Sequence, residues 1–132
     1  MAKYVYPVIL SPEKEGGYSA NFPDLESCYT QGENLADTLE MAKDVLELTL
    51  YGLEEKEASI PASSNMSELS VNTGQIVSLV TANTISYRRF YDNKAVKKTL
   101  TIPSWLNTLA ERQDINFSFV LQKALKEELQ IN

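Results

Sequence analysis

The sequence predicts an α+β fold in two parts, because three periodic patterns follow one another along its 132 residues. Residues 3–10 alternate in apolar character with the period of two that is typical of a β-strand. Apolar side chains recur at three- and four-residue steps over residues 35–53, which is the period of an amphipathic helix. A second alternation at residues 97–102 leads into two short helical patterns over residues 103–129. Strands and helices therefore occur in separate runs, as in an α+β layout.

The first part is predicted to contain three strands, a helix and a final strand. Strands are expected at residues 3–10, 18–22 and 28–30, because each run is rich in β-branched or aromatic side chains and is followed by turn residues. The short apolar run 75–81 suits a fourth strand of the same sheet. Pro7 inside the first run predicts an edge position or a bulge, since proline cannot donate to a β-ladder.

The helix at residues 35–53 is the clearest element of the chain. Asn34 is a good N-cap, and Asp37 lies in the first turn, where a negative charge favours the helix dipole. One side of the helix is apolar and is expected to pack on the sheet, whereas the opposite side is acidic. The apolar stripe consists of Leu35, Leu39, Ala42, Leu46, Leu50 and Leu53, and the acidic side includes Glu40, Asp44 and Glu47.

The second part combines one strand with two helices, and the strand has a polar side suited to DNA. Leu100 and Ile102 face one side of the predicted strand, whereas Lys97, Thr99 and Thr101 face the other. A unit of about 36 residues is too small to bury a stable core alone, so we expect it to pair with a second copy. Two paired strands would present Lys97, Thr99 and Thr101 to base edges in a major groove.

The helices of the second part offer phosphate contacts. Pro103 fits the start of the first helix, and Asn116 can cap the second. The free N–H groups at the start of that second helix could hold a DNA phosphate. Basic side chains near the strand would orient the protein on the DNA backbone without reading its sequence. The predicted phosphate contacts are Lys98, Asn116, Phe117, Ser118, Arg88 and Arg89.

The chain contains no histidine and a single cysteine, Cys28, which excludes several classes of site. Without imidazole there is no Ser-His or Cys-His nucleophile pair and no His-liganded metal. One cysteine excludes an internal disulfide and a cysteine-based zinc site. No apolar run approaches the roughly 20 residues that span a bilayer. We expect a cytoplasmic protein with no membrane partner, no cofactor and no metal.

The net charge of −6 is divided unevenly along the chain. Residues 1–86 carry four Lys and thirteen Asp or Glu, whereas residues 87–132 carry eight Lys or Arg and five Asp or Glu. An acidic body joined to a basic tail suggests two partners of opposite charge.

Several motifs of the first part resemble the HicB antitoxin domain, which is a partial ribonuclease H-like fold. They are YPVIL, GGYSANFPDLESCYTQG and the helix ENLADTLEMAKDVLELTL. The tail, KKTLTIP followed by two helices, resembles a ribbon-helix-helix DNA-binding domain, in which one strand pairs with that of a twofold mate. Together the two segments cover nearly the whole chain in the HicB order. They suggest domains at residues 1–81 and 96–132, joined by a linker at 82–95.

The resemblance implies an antitoxin that is not an enzyme. Its first domain would bind and mask a HicA-type toxin, a small basic ribonuclease that degrades mRNA. Its tail would bind operator DNA and repress the operon that encodes both proteins. A homodimer is expected, and whether dimers pair into tetramers stays open. The predicted toxin contacts are Glu40, Asp44, Glu47 and Asp24.

Two other functions remain open from the sequence. One is a transcriptional repressor whose first domain senses a small ligand and which has no toxin partner. The other is a metal-dependent nuclease, which would need several carboxylates converging on two metal ions. Glu13 and Glu15 lie in one predicted turn, Asp24 and Glu26 lie in another, and nothing in the sequence brings the two pairs together.

Overall fold

The computed structural model describes residues 3–132 and divides the chain into two compact units, with the division between Lys94 and Ala95. The predicted α+β class is confirmed, because the described residues form one four-stranded antiparallel sheet and four α-helices. A 3-10 turn, Met66–Glu68, lies in the long loop before the last strand. The first unit contains β1 (Lys3–Pro12), β2 (Tyr18–Asn21), β3 (Tyr29–Gly32), α1 (Leu35–Glu55), β4 (Ile76–Asn83) and α2 (Thr84–Tyr91). The second contains α3 (Ser104–Arg112) and α4 (Phe117–Glu128).

Pro7 lies in an inner strand without a bulge, but within the described residues β1 has no partner on its β2 side at this position, so Pro7 occupies a locally open edge as predicted. The strand order is β3-β2-β1-β4, Pro7 pairs with Leu79 of β4, and β2 pairs with β1 only from Ile9 onward. Side chains of α1 hydrogen-bond the carbonyl of Thr81 and the N–H of Asn83, so the odd-numbered residues of β4 point their backbone groups away from β1. Pro7 therefore belongs to a pair that exchanges no hydrogen bond, and its missing N–H costs nothing.

The core of the first unit lies between the sheet and α1. The period of two predicted for the first strand is confirmed, since its alternate residues Tyr6, Val8 and Leu10 face this core. Burial of a large aliphatic or aromatic side chain contributes about 1.5–3 kcal/mol, so this layer supplies most of the stability of the unit. The buried apolar residues are Tyr6, Val8, Leu10, Ala20, Phe22, Leu25, Cys28, Ala42, Leu46, Leu50, Val80 and Ala82.

The buried side of α1 is rotated, in its first turns, from the predicted stripe. Leu35 and Leu39 are exposed, and Thr38 is buried instead. The cause is the close approach of β3, because a Cβ added at Gly32 would lie 2.5 Å from the backbone nitrogen of Thr38. The predicted N-cap is confirmed, since Asn34 Oδ1 accepts from the N–H of Asp37 at 2.8 Å. Ala42, Leu46 and Leu50 of the stripe are buried as expected, and Leu53 is partly buried.

Residues 82–95, predicted as a linker, contain the end of β4 and the whole of α2. Asn83 caps α2, because its side chain accepts from the N–H of Ser86 at 3.1 Å. Tyr87 packs against Tyr51 of α1, with ring centroids 5.0 Å apart. The helix therefore belongs to the first unit. The sequence allowed a short helix at ISYRRFY within this linker but did not assign it to the first unit, because the contacts that hold α2 come from residues more than thirty positions away.

The two predicted helices of the tail are confirmed. Pro103 immediately precedes α3, as expected of a residue without an N–H. Asp114 takes a left-handed φ of 52° in the turn between the helices. Asn116 then caps α4, because its side chain accepts from the N–H of Phe119 at 3.0 Å.

The strand predicted at residues 97–102 has no regular secondary structure in the described chain. A strand exists only where a neighbour receives its backbone hydrogen bonds. The described residues from Ala95 onward contain no other strand with which this segment could pair. Pairing with a second copy therefore stays a prediction.

Candidate partner-binding surfaces

Two of the three acidic residues predicted on α1 are available to a partner. Glu40 and Asp44 are exposed one helical turn apart. Glu47 is half-buried, and its carboxylate accepts from the N–H of Asn83 at 2.8 Å and pairs with Lys43 at 3.4 Å. Glu47 thus links α1 to the junction of β4 and α2. Its predicted contact with a toxin would have to share these partners.

Asp24, also predicted as a toxin contact, fastens a loop within the first unit. Its carboxylate accepts a hydrogen bond from the N–H of Ser64 at 2.8 Å and a second, short one from the hydroxyl of Ser64. Nearby, the hydroxyl of Tyr6 donates to the carbonyl of Pro61. Burial and the charge of Asp24 raise the pKa of Tyr6, so this phenol stays a donor at neutral pH. These bonds hold the loop that leads from α1 to β4.

A groove between α1 and α2 presents large apolar side chains that sequence reasoning missed. It has a volume of about 640 Å³. Met41 and Leu48 on α1 are 42% and 54% exposed, and Phe90 and Tyr91 on α2 are 76% and 67% exposed. Lys43 and Asp44 are also among the residues that line it. The groove exists because α2 packs beside α1. The sequence signal that could have indicated it is the group of aromatic residues in α2, Tyr87, Phe90 and Tyr91.

A polar cluster fixes α2 beside α1. Glu54 accepts from the hydroxyl of Tyr4 at 2.7 Å and from that of Thr84 at 2.9 Å, and pairs with Arg88 at 3.1 Å. Burial, together with the hydrogen bond to Glu54, raises the pKa of Tyr4 to about 12. The three partners come from β1 and α2, so the cluster joins both elements to α1.

Arg88, predicted to contact DNA phosphate, is engaged inside the first unit. Besides Glu54, its guanidinium pairs with Glu55 at 2.5 Å and lies 4.7 Å from the ring centroid of Tyr51. Arg89 belongs to the same helix and is exposed. The predicted phosphate contact overlooked these ion pairs because residues 82–95 were interpreted as a linker. For Arg88, phosphate contact would require giving up two ion pairs.

The assignment of α2 to the first unit also changes the division of charge. Up to Lys94 the chain carries seven Lys or Arg and fourteen Asp or Glu, a net charge of −7. From Ala95 it carries five Lys or Arg and four Asp or Glu, a net charge of +1. The acidic body is confirmed, whereas the tail is nearly neutral overall.

The second unit has a groove of its own along α4, with a volume of about 490 Å³. Alternate residues of the preceding segment, Lys98, Leu100 and Ile102, line it together with Val120 and Leu121 of α4. The structure thus brings Leu100 and Ile102 to the same side as the apolar residues of α4, as the predicted alternation requires. Phe117, Ser118 and Ala124 complete much of the lining.

The residues predicted to read DNA bases are all exposed. Lys97, Thr99 and Thr101 alternate with the residues that line the groove of α4. Asn116 uses its side chain as the cap of α4, while Phe117 and Ser118 occupy the first turn, where backbone N–H groups lack helical partners. The structure contains no nucleic acid, and these contacts stay predictions.

Residues 3–132 contain neither a candidate metal site nor a candidate membrane span. No three Asp, Glu, Cys or His side chains in this range converge so as to hold a metal ion. None of the helices found there combines the length and apolar character that a membrane span requires.

Comparison with known proteins gives related sequences for this chain. The family described as HicB-like antitoxin of bacterial toxin–antitoxin systems matches residues 6–124. Antitoxin HicB of Escherichia coli K12 is 51% identical over 41 residues, which are 31% of this chain and 30% of that antitoxin. The match thus spans less than a third of the E. coli protein. A UPF0150 protein of Synechocystis, ssl0259, is 37% identical over 57 residues, which are 43% of this chain and 78% of that protein.

Solved structures share the fold. A toxin–antitoxin complex from Streptococcus pneumoniae contains a chain that aligns with a TM-score of 0.62 and 27% identity, over 96% of this chain and 99% of that one. The antitoxin HicB of Burkholderia pseudomallei aligns with a TM-score of 0.56 and 18% identity, over 96% of this chain and 98% of that one. At 18% identity, the similarity to the Burkholderia protein concerns the fold alone.

Proposed function

Because this chain belongs to the HicB-like antitoxin family of bacterial toxin–antitoxin systems, we propose that it neutralises a HicA-type toxin with its first unit and represses its own operon with its second. The match over residues 6–124 carries the antitoxin role, since it includes both units. The chain acts by binding, in the cytoplasm, and has no catalytic step of its own. In this proposal the first unit is a partial ribonuclease H-like domain that lacks catalytic carboxylates.

Charge supports a toxin partner for the first unit. The resemblance implies that the toxin is a small basic ribonuclease, and a net charge of −7 would steer such a protein toward this unit. The similar chain from Streptococcus pneumoniae was solved in a toxin–antitoxin complex. Mixing the purified chain with the small basic protein encoded beside it should abolish RNA cleavage by that protein. Undiminished cleavage at a molar excess of this chain would contradict the proposed neutralisation.

The exposed apolar residues of the second unit support a ribbon-helix-helix dimer. No residue from Ala95 to Asn132 is buried, although α3 and α4 each have an apolar side. Pairing the segment 97–102 with its twofold mate would supply the missing strand partner and cover the groove of α4. The odd-numbered Lys97, Thr99 and Thr101 would then face outward as a ribbon for the major groove.

Operator binding tests this second role. We expect a gel shift on the DNA upstream of the operon that weakens steeply as salt rises, because phosphate contacts release counterions. Lys97→Ala and Thr99→Ala should each weaken specific binding by about 1–3 kcal/mol. Lys126→Ala, an exposed change in the last turn of α4, is the matched control. Wild-type affinity in both ribbon variants would refute the assignment of base contacts.

A further inference from the structure

We propose that the toxin docks on the groove between α1 and α2, with an apolar side chain in the groove and basic side chains over its acidic border. This proposal rests on the toxin-binding function proposed above and adds to it the surface that does the binding. Its occupant is the toxin rather than a second copy of this chain or a small ligand.

The apolar part of the groove has the composition of the centre of a protein interface. Met41, Leu48, Phe90 and Tyr91 come from two helices and are each 42–76% exposed. Aromatic residues and Met are enriched at interface centres: the aromatic rings bury much area with few rotatable bonds, and the flexible Met side chain adapts to the shape of a partner. Single exposed apolar residues are ordinary on a surface, but four that border one groove of about 640 Å³ form a patch.

The acidic border consists of two exposed carboxylates of α1. Asp44 is one of the residues that line the groove, and Glu40 precedes Asp44 by one turn on the same side of the helix. Lys43 is the cation nearest to them in sequence, and its ammonium is engaged by Glu47 at 3.4 Å and by the carbonyl of Thr81 at 3.1 Å. The two carboxylates are therefore left to a basic partner.

Charge also decides between the two possible protein occupants. Two copies of this chain meeting groove to groove would bring two acidic borders together, each on a unit of net charge −7. Juxtaposed like charges cost several kilocalories per mole across an interface, whereas a basic partner gains from the same groups. The groove is thus complementary to the toxin and repels its own copy.

The groove is preformed. The N–H of Asn83 donates to Glu47 and thereby fixes the start of α2, while Arg88 ties the last turns of α2 to Glu54. Tyr87 lies 5.0 Å from Tyr51 and 4.5 Å from Tyr91, measured between ring centroids. A partner would therefore spend little free energy on ordering this surface.

Two substitutions of the same residue type on opposite sides of the first unit test the proposal. Leu48 on α1 and Leu79 on the outer face of β4 are 54% and 51% exposed, so neither change removes core packing. The full chain and its Leu48→Lys and Leu79→Lys variants are titrated with the small basic protein encoded beside this chain. Thermal unfolding verifies that both variants are folded.

We expect Leu48→Lys to weaken binding by about 30-fold or more, as truncating a central interface residue does, and Leu79→Lys to change it less than about twofold. Wild-type affinity for Leu48→Lys, or a selective loss for Leu79→Lys, would overturn the choice of surface while toxin binding by the chain stands. Failure of the unmodified chain to bind the basic protein would instead refute the proposed function itself.

The acidic border is tested by reversing one charge. Asp44→Lys should weaken binding by about tenfold at low salt, mostly through a slower association rate, because border charges steer encounter. Glu68→Lys, a charge reversal of the same size on the loop before β4, is the control and should have little effect. Equal losses for both variants would mean that net charge, not this groove, attracts the toxin. Loss of self-association by Leu48→Lys with unchanged toxin affinity would assign the groove to a second copy.

Discussion

The two units of this chain differ in where they keep their apolar side chains. In the first, one layer of apolar residues is buried between the sheet and α1. In the second, Ala95–Asn132, the apolar residues of both helices remain exposed or half-exposed. Both units have well-capped helices, so local sequence signals are equally good in the two. The difference teaches that helix formation and completion of a core are separate requirements, and the proposed dimer would let the second unit meet the latter with a second copy of the chain.

The aromatic residues allow the two units to be observed separately. All seven tyrosines precede Lys94, whereas the single tryptophan, Trp105, lies in α3. Tyrosine circular dichroism therefore reports the first unit, and tryptophan emission reports the second.

Removal of a core side chain should affect the first unit alone. Phe22 is fully buried, so Phe22→Ala should lower the free energy of unfolding of this unit by about 3–5 kcal/mol. Urea titration followed by tyrosine circular dichroism measures the loss, and Tyr29→Phe on exposed β3 is a control. If the transition of Trp105 moved by the same amount, the stability of the second unit would depend on the first.

A charge placed on the apolar side of α4 should affect the second unit alone. Val120→Asp leaves a monomer undisturbed because Val120 is half-exposed, but it would bury a carboxylate in the expected dimer. We expect the dimer to weaken by more than about 2 kcal/mol, with operator binding lost and toxin binding kept. Sedimentation over a range of concentrations measures this, and Gln122→Asp on the exposed side is the control. A monomeric wild-type chain at micromolar concentration would contradict the ribbon-helix-helix assignment.

The same capping substitution can be made in both units. Asn34 caps α1 and Asn116 caps α4 through side-chain hydrogen bonds of 2.8 and 3.0 Å. Each change to Ala should cost about 1 kcal/mol. The unfolding temperature of the first unit in Asn34→Ala should not depend on protein concentration. The unfolding temperature of the second unit in Asn116→Ala should still rise with protein concentration, because that unit is expected to unfold from a dimer. A concentration-independent transition of Trp105 would show that the second unit completes its fold without a partner.

Tyr4, in the first unit, should contribute to the pH dependence of stability at the alkaline end. The pKa of Tyr4 is raised from 10.0 to about 12, so the folded state keeps a proton that the unfolded state has lost. Stability from this group is therefore full below pH 10 and is lost as the pH rises to 12. Tyr4→Phe should cost about 0.5–1 kcal/mol at neutral pH, since it removes a hydrogen bond to Glu54, and should flatten the alkaline decline. An unchanged decline in the variant would assign it to other groups.

Much of the fold followed from local patterns. The strand period at Tyr6, Val8 and Leu10 and the caps at Asn34 and Asn116 were predicted and are present. Each depends on residues within a few positions, which a sequence pattern can capture.

The candidate sites were harder to predict, because their partners are distant in sequence. Arg88 was expected on DNA, but its ion pair with Glu54 spans 34 residues. Glu47 was expected on an open helix face, but it binds the backbone of Asn83. The strand predicted at 97–102 would need backbone hydrogen bonds from a partner strand, and a single sequence does not display such a partner. Composition alone does not reveal such pairings.

The close packing at Gly32 gives a physical reason for the glycine that ends the sequence motif GGYSANFPDLESCYTQG. Any side chain at this position would collide with Thr38. The pattern Thr30-Gln31-Gly32 at the end of β3 therefore reflects how closely β3 and the first turn of α1 approach each other. A search pattern built on that glycine would retrieve proteins that share this bend. It would not show which partner each of them binds, because the contact between Gly32 and Thr38 depends on the fold and not on the exposed side chains that a partner would meet.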